Sequence, residues 1–453
     1  MAGIILTADI GTSSLKAAFI DLDGKLKAFT RVAYRPDSEG NIDTGAWKRA
    51  FTNTLEHLHS QAPACAIDGI CISGNGPTLV PITQEGDTLT PLYWHDGRTV
   101  LPPLSTPGIT PSFFLPHVAW FKINAFPLYE ETKFFVSSHE WLASLLGAEP
   151  RTVLPSKVYE PHFWDDEQCR LFDLDKEKFP PFINMGEIMG YVSNNASSFL
   201  SSFSGNRLKS GTPIIAGSPD FITALIGTGT RKPGDVCDRA GSSEGINACV
   251  ATPVKGEGFR LLPHAVEGLW NIGIVINSSG RLFERYRKHT GLLETSYEEL
   301  LANLIPSTES TDIFQNLPLL SPHSPFPIPH SPLELGRSVL CAIGFSVRSA
   351  LETLAGLGHP VSVMRVSGGQ SKNARWNQLK ADITGVSLMV PEITDGELAG
   401  NAVLAALALD GKLKREQAAF DDAVNRMIRF REVYEPNDRT ASFWKHRYEA
   451  SKT

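Results

Sequence analysis

Asp9, Gly11, Thr12, Ser13, Ser14 and Lys16 lie together in the stretch "ADIGTSSLK". One apolar run enters it and a second, ending at Asp21, leaves it. Successive backbone N–H groups around a glycine turn form a concavity that suits phosphate oxygens, and the hydroxyls add donors. A carboxylate and a phosphate are both negative, so Asp9 has to meet a phosphate through a cation. Mg²⁺ held through water is the hard ion that fits. A plain β-turn between two strands has the same look, and these residues alone leave both readings open. No G-x-x-x-x-G-K-[ST] loop and no strand-linked G-x-G-x-x-G competes for the phosphate.

Three further stretches carry candidate chemistry. In "IIAGSPDFITALIGTGT" Asp220 falls at a strand's end and a helix's start, where α/β folds bind ligands. An N-capping aspartate would occupy the same place. In "VSGGQSKNARWNQ" Gly368 and Gly369 follow a strand, which lets a flat ring approach the backbone; a tight strand-to-helix turn needs the same glycines. In "PLYWHDGRT" Trp94 could stack on a polyol while Asp96 and Arg98 hydrogen-bond to it. A surface turn with a local ion pair is the alternative.

These residues need a scaffold, and the pattern supplies one. Residues 4–8 and 15–21 read as strands, with a third near 27–34 after "GKL". "TGAWKRAFTNTLEHLHSQ" has helical spacing, with Trp47, Phe51, Leu55 and Leu58 on one face and Thr44 as candidate N-cap. "AIDGICISG" (66–74) is a buried strand. A similar order begins near residue 235, where Gly241-Ser242-Ser243 stands against Gly11-Thr12-Ser13 about half a chain away. That suggests two related halves, each with a hydroxyl-rich turn. Residues 339–357 form an amphipathic helix, with Leu340, Phe345, Val347, Leu351 and Leu354 inward. Residues 363–371 are a strand running into the glycine turn; "ARWNQLKADITG" is a helix closed by Gly385, and 398–409 is another. The seven prolines within 306–332 make that segment a loop or insertion.

The 453 residues exceed one hydrophobic core, so two domains are expected, 1–232 and 233–453. A composition of 42% hydrophobic and 20% charged residues is that of a globular protein. The net charge of −7, from 42 Lys+Arg against 49 Asp+Glu, argues against a nucleic-acid partner. No apolar stretch reads as a membrane span, and the chain runs into its first strand without a leader. The six cysteines contain no C-x-x-C pair and read as reduced thiols of a cytoplasmic protein.

Taken in order, these stretches resemble the FGGY family of carbohydrate kinases, within the actin-like ATPase superfamily. "ADIGTSSLKAAFID" is similar to the family's first phosphate motif and "WHDGR" to its substrate-side Trp-x-Asp-x-Arg. "GSPDFITALIGTG" is similar to the catalytic-aspartate segment and "DRAGSSEG" to the second phosphate turn. "VLCAIGFSVRSALETL" and "VSGGQSKNARWNQLKADITG...LAGNAVLAALAL" are similar to the second signature helix and the adenosine motif. The resemblance covers nearly the whole chain.

It implies an α/β fold of two actin-like (ribonuclease H-like) domains, each a duplicated βββαβα core, around a central cleft. It implies a phosphotransferase acting on an alcohol group of a sugar or polyol, with ATP and Mg²⁺. Asp220 takes the role of general base and Asp9 that of the water-mediated Mg²⁺ contact. Gly11, Thr12, Ser13, Ser14, Lys16, Gly241, Ser242, Ser243, Gly368, Gly369, Gln370 and Asn373 fall on the ATP side. Asn75, Gly76, Pro77, Trp94, Asp96, Asp220 and Phe221 fall on the sugar side. The partner is a small sugar or polyol, with a homodimer left open.

The departures gather on the sugar side. The family usually has Asn or Gln after the aspartate and often His before it; here Phe221 and Pro219 stand there. The apolar Phe221 removes an expected sugar contact, so a smaller, deoxy or otherwise less polar substrate is expected. His117 replaces the family's lysine, and "SPHSPFPIPHSPLELG" replaces its Gly-Glu-Arg loop. Asn75 and Pro77 stand where relatives present other sugar-contacting residues. These changes leave room for a non-catalytic ATP-binding regulatory relative. The joint presence of Asp9, Asp220 and both hydroxyl turns favours the kinase.

Overall fold

The computed structural model describes residues 3–35, 42–94, 96–100, 112–201, 208–241, 244–276, 279–306, 311–320, 326, 331–411 and 417–452. Along the first half run β1 (Ile4–Ile10), β2 (Ser14–Asp21), β3 (Leu26–Ala33), α1 (Thr44–Gln61), β4 (Ile67–Gly74), α2 (Ser138–Leu146), β5 (Ile188–Tyr191), β6 (Pro213–Pro219) and α3 (Asp220–Gly227). The second half holds β7 (Val236–Ala240), β8 (Glu244–Val250), β9 (Arg260–Pro263), β10 (Trp270–Ile276), α4 (Pro332–Gly356), β11 (Val363–Ser367), α5 (Ala374–Thr384), β12 (Ser387–Pro391), α6 (Gly396–Leu409) and β13 (Phe430–Tyr434). Short helices and two small two-stranded sheets complete the described chain.

Two compact units result. The first comprises Met1–Gly227 with Glu397–Ile428; the second comprises Thr228–Gly396 with Arg429–Thr453. The chain therefore returns to the first unit for α6.

The first unit's sheet has the order β3-β2-β1-β4-β6-β5. β1 pairs antiparallel with β2 and parallel with β4, and β6 is parallel to β4. β1 is buried at every position, as a central strand covered on both faces must be. Leu6, Ala8, Phe19, Ile70 and Ile72 meet Trp47, Phe51 and Leu55 of α1 in one core. Asp43, rather than the expected Thr44, caps α1: its Oδ1 accepts from the Ala46 N–H across 2.7 Å. Thr44 is the first helical residue, one position too late for the cap geometry.

The second unit's sheet has the order β9-β10-β8-β7-β11-β12-β13. Its inner five, β10-β8-β7-β11-β12, repeat β3-β2-β1-β4-β6: three antiparallel strands extended by two parallel ones. The repeat of hydroxyl turns noted in the sequence thus sits on a repeat of sheet topology.

Helix α4 starts at a capping box, with Ser331 Oγ accepting from the Glu334 N–H and Glu334 Oε2 from the Ser331 N–H, each across 3.2 Å. Its 25 residues are long and apolar enough to cross a membrane, by length and composition only, where the sequence reading finds no such stretch. Most of it is buried, with Val339, Leu340, Val347, Leu351 and Leu354 in the core. Of the proline-rich segment 306–332, residues 307–310, 321–325 and 327–330 lie outside the described chain.

Candidate active site

Asp9 is the penultimate residue of β1 and is 4% exposed. Its antiparallel neighbour on β2 is Lys16, and its parallel neighbour on β4 is Ser73. The three form a row across adjacent strands. Ser73 Oγ donates to Asp9 Oδ1 across 2.9 Å. Asn401 of α6 donates through Nδ2 to Ser73 Oγ (2.9 Å) and to the Ala8 carbonyl (3.0 Å). Glu397, one turn earlier on α6, places Oε2 3.7 Å from Lys16 Nζ.

Burial pushes the Asp9 carboxyl up to about 7, and the carboxylates of Glu397 and Asp220 push the same way. Lys16 and the Ser73 hydrogen bond act against them. A carboxylate so desolvated, with further carboxylates near it, gains from a nearby cation. Among the described residues no group of three or more His, Cys, Asp and Glu is placed to hold an ion by itself.

The turn after Asp9 is tight, with the Gly11 N–H donating to Ser14 O across 3.0 Å. A side chain at Gly11 would fill the concavity: its Cβ would lie 2.9 Å from Ser14 O and 4.0 Å from Asp9 Oδ2. The cradle and the carboxylate beside it fit a Mg²⁺-bound phosphate. Ser13 is exposed, whereas Ser14 is buried on β2 with its Oγ accepting from Arg31 Nε. Thr12 Oγ1 accepts from Trp94 Nε1 across 3.2 Å, which joins the first motif to the fourth.

Asp220 is the first residue of α3 and follows Pro219, which pairs with Gly74 at the end of β4. Its carbonyl accepts from Thr223 Oγ1. Gly74 pairs with both Ile10 and Pro219, so Asp9 and Asp220 lie at the same end of the sheet. Phe221 beside Asp220 is half-buried.

On the sugar side the Asn75 N–H donates to Ile10 O, and Asn75 Oδ1 accepts from Ser138 Oγ across 3.2 Å. Its buried Nδ2 has no hydrogen-bond partner among the described residues. Gly76 lies against Pro219 and precedes Pro77. Arg98 Nε donates to both oxygens of Asp96, which holds that carboxyl below its usual range. The Arg98 guanidinium lies over Trp120, 5.1 Å from the ring centroid. His117, in the family's lysine position, donates through Nε2 to the Asp96 carbonyl. The local ion pair is therefore present.

In the second unit Gly368 has φ +89°, and a Cβ there would lie 2.5 Å from Ala240 O, so only glycine fits. Gly369 opens a single helical turn. Gln370 Nε2 donates to Gly241 O and to Ser279 Oγ, and its Oε1 accepts from Trp376 Nε1. Gln370 thus braces the Gly241 turn. Asn373 caps α5 by accepting from the Trp376 N–H. Ser242 and Ser243 lie outside the described residues. Beneath the turn, Lys380 sits between the buried carboxylates of Asp238 and Glu244.

Ser73, Glu397, Asn401 and Lys380 are not among the residues expected from sequence. Asn401 lies 328 positions from Ser73, so no local signal links them.

Two α/β units whose sheets share a five-strand order give the two-domain actin-like plan, with a glycine turn beside a buried carboxylate and a second carboxylate at a helix start in the first unit. The comparisons narrow this. The FGGY N-terminal domain pattern matches residues 4–227 and the C-terminal domain pattern residues 321–409. The chain belongs to the FGGY family of carbohydrate kinases. It is 22% identical to a xylulose kinase of Bacillus subtilis over 446 residues, covering 89% of this chain and 87% of that one. The crystal structure of xylulose kinase from Rhodospirillum rubrum matches with a TM-score of 0.75 at 19% identity, covering 99% of this chain and 97% of that one. Plasmodium falciparum glycerol kinase with ADP matches with a TM-score of 0.73 at 15% identity, covering 100% and 98%.

Proposed function

We propose that this chain transfers the γ-phosphoryl group of ATP to a hydroxyl of a sugar, ketose or polyol, with Asp220 as general base. The observation that carries this reading is the pairing at one sheet end: Asp9 beside the Gly11 cradle, with Asp220 directly after Pro219, whose strand partner Gly74 also pairs with Ile10. Bound Mg²⁺·ATP supplies the electrophilic phosphorus and part of the neutralising charge. Phosphoryl transfer has a loose transition state, so positioning and charge neutralisation matter more than a strong base. Asp220, an ordinary carboxylate at the start of α3, accepts the proton of the attacking hydroxyl. The N–H groups of the Gly11 turn and the Thr12 hydroxyl hold phosphate oxygens, and Asp9 faces the metal through water.

Trp94 offers a face to the substrate, and Asn75 offers an unused donor. Phe221 makes one side of the site apolar. Relatives named for xylulose and for glycerol support a ketose or polyol acceptor. Six free thiols support a reducing, cytoplasmic setting.

The test is ADP release on a panel of pentuloses, hexuloses, aldonates and polyols, with the product identified by mass spectrometry. One class is expected to raise ADP release above background. Asp220→Asn should cut that rise by about 10²–10⁴-fold, the usual worth of a positioned base, while ADP still binds. If no compound raises it, the non-catalytic ATP-binding reading replaces this one.

A further inference from the structure

Asn401 is fully buried, and all of its amide is committed. Nδ2 donates to Ala8 O and to Ser73 Oγ, and Oδ1 accepts from Cys71 Sγ across 3.4 Å. Turning the amide over would set its oxygen against the Ala8 carbonyl, two acceptors 3.0 Å apart, so the orientation is forced. The backbone fixes it as well. A Cβ on the preceding Gly400 would lie 1.9 Å from Thr223 O, so α6 is pressed onto α3 and cannot slide.

A hydroxyl has one proton to give. Ser73 Oγ accepts from Asn401, which directs its own proton elsewhere. Asp9 Oδ1 stands at 2.9 Å, against 3.5 Å for the Ala8 carbonyl. The chain of donors therefore runs one way, from Asn401 through Ser73 to Asp9. Asp9 Oδ2 is the oxygen on the side of the Gly11 turn.

We propose that Asn401 is a positioning residue for Asp9: it commits the Ser73 proton to Oδ1, which fixes the carboxylate with Oδ2 turned to the water shell of the nucleotide's Mg²⁺. This rests on the reading of Asp9 as the metal-facing residue. Asn401 touches neither nucleotide nor substrate; it acts only through Ser73.

Calorimetric titration of ADP over a range of Mg²⁺ concentrations tests it, using the wild type, Asn401→Ala, Ser73→Ala and the double variant. Each single change should raise the Mg²⁺ midpoint about fivefold, the worth of one hydrogen bond. Affinity for metal-free ADP should stay within about twofold, and the double variant should match either single one because the two act in series. Ser73→Thr, which keeps the hydroxyl, should restore the wild-type midpoint. Where Asn401→Ala melts below the assay temperature, Asn401→Leu keeps the volume, removes the donor and carries the same expectation. An unchanged midpoint in a folded Asn401 variant overturns the proposal, as do additive effects in the double variant. ADP binding by the wild type that ignores Mg²⁺ overturns the metal role of Asp9, and this inference with it.

Discussion

Trp94 donates through its indole N–H to the Thr12 hydroxyl across 3.2 Å, so a residue of the expected sugar side is fastened to the phosphate turn. Trp94 is 40% exposed. Trp94→Ala should raise the KM for both sugar and ATP. Trp94→Phe keeps a ring and loses the donor, so it should raise the KM for ATP about two- to tenfold and spare that for sugar. Steady-state kinetics decide, and an unchanged sugar KM in Trp94→Ala would return Trp94 to a surface turn.

Asp9 makes stability depend on pH in an unusual direction. Its carboxyl moves from 3.8 to about 7 on folding, so across that window the folded state holds the proton more firmly than the unfolded chain. Stability should therefore fall as pH rises from about 4 to about 8. Asp9→Asn keeps an acceptor for Ser73 but does not titrate. Calorimetric melts of the nucleotide- and metal-free proteins should show a smaller loss in Asp9→Asn, and parallel losses would refute the assignment.

Gly368→Ala should be costly at a single atom. The residue has φ +89°, and the new Cβ would press on Ala240 O. A loss of about 1–3 kcal/mol is expected from the backbone conformation alone. On the proposed reading Gly368 lies on the nucleotide side, so ADP affinity should drop too. Urea unfolding with ADP titration measures both, and wild-type values in each would remove the strain argument.

Lys380→Met should leave Asp238 and Glu244 buried without their counter-charge, at a cost of about 3–5 kcal/mol. Adding Asp238→Asn and Glu244→Gln should recover part of that loss. Urea midpoints that fall further in the triple variant would contradict the ion-triad account.

The strands and helices were legible because their signals are local: the buried run at 4–10, the one-sided face of α1, Gly385 in a left-handed turn after α5. Asp9, Gly11 and Thr12 could be singled out for the same reason, since they fall in one short stretch. Ser73 was not, because parallel register places it beside Asp9 from 64 residues away. Glu397 and Asn401 were further out of reach. A division at 232/233 assigns them to the later half, whereas the chain returns at Glu397 to pack with the first unit. Trp94 and Thr12 were each singled out, but only folding reveals that they touch.

Counting two residues back from the turn glycine lands on Asp9 in the first unit and on Arg239 in the second. Each has a serine as its parallel neighbour, Ser73 and Ser367. The two sheets thus share a register at this position and carry opposite charges there. Two copies of either half fused end to end would carry like charges at these two strand ends, where the natural chain carries one anion and one cation.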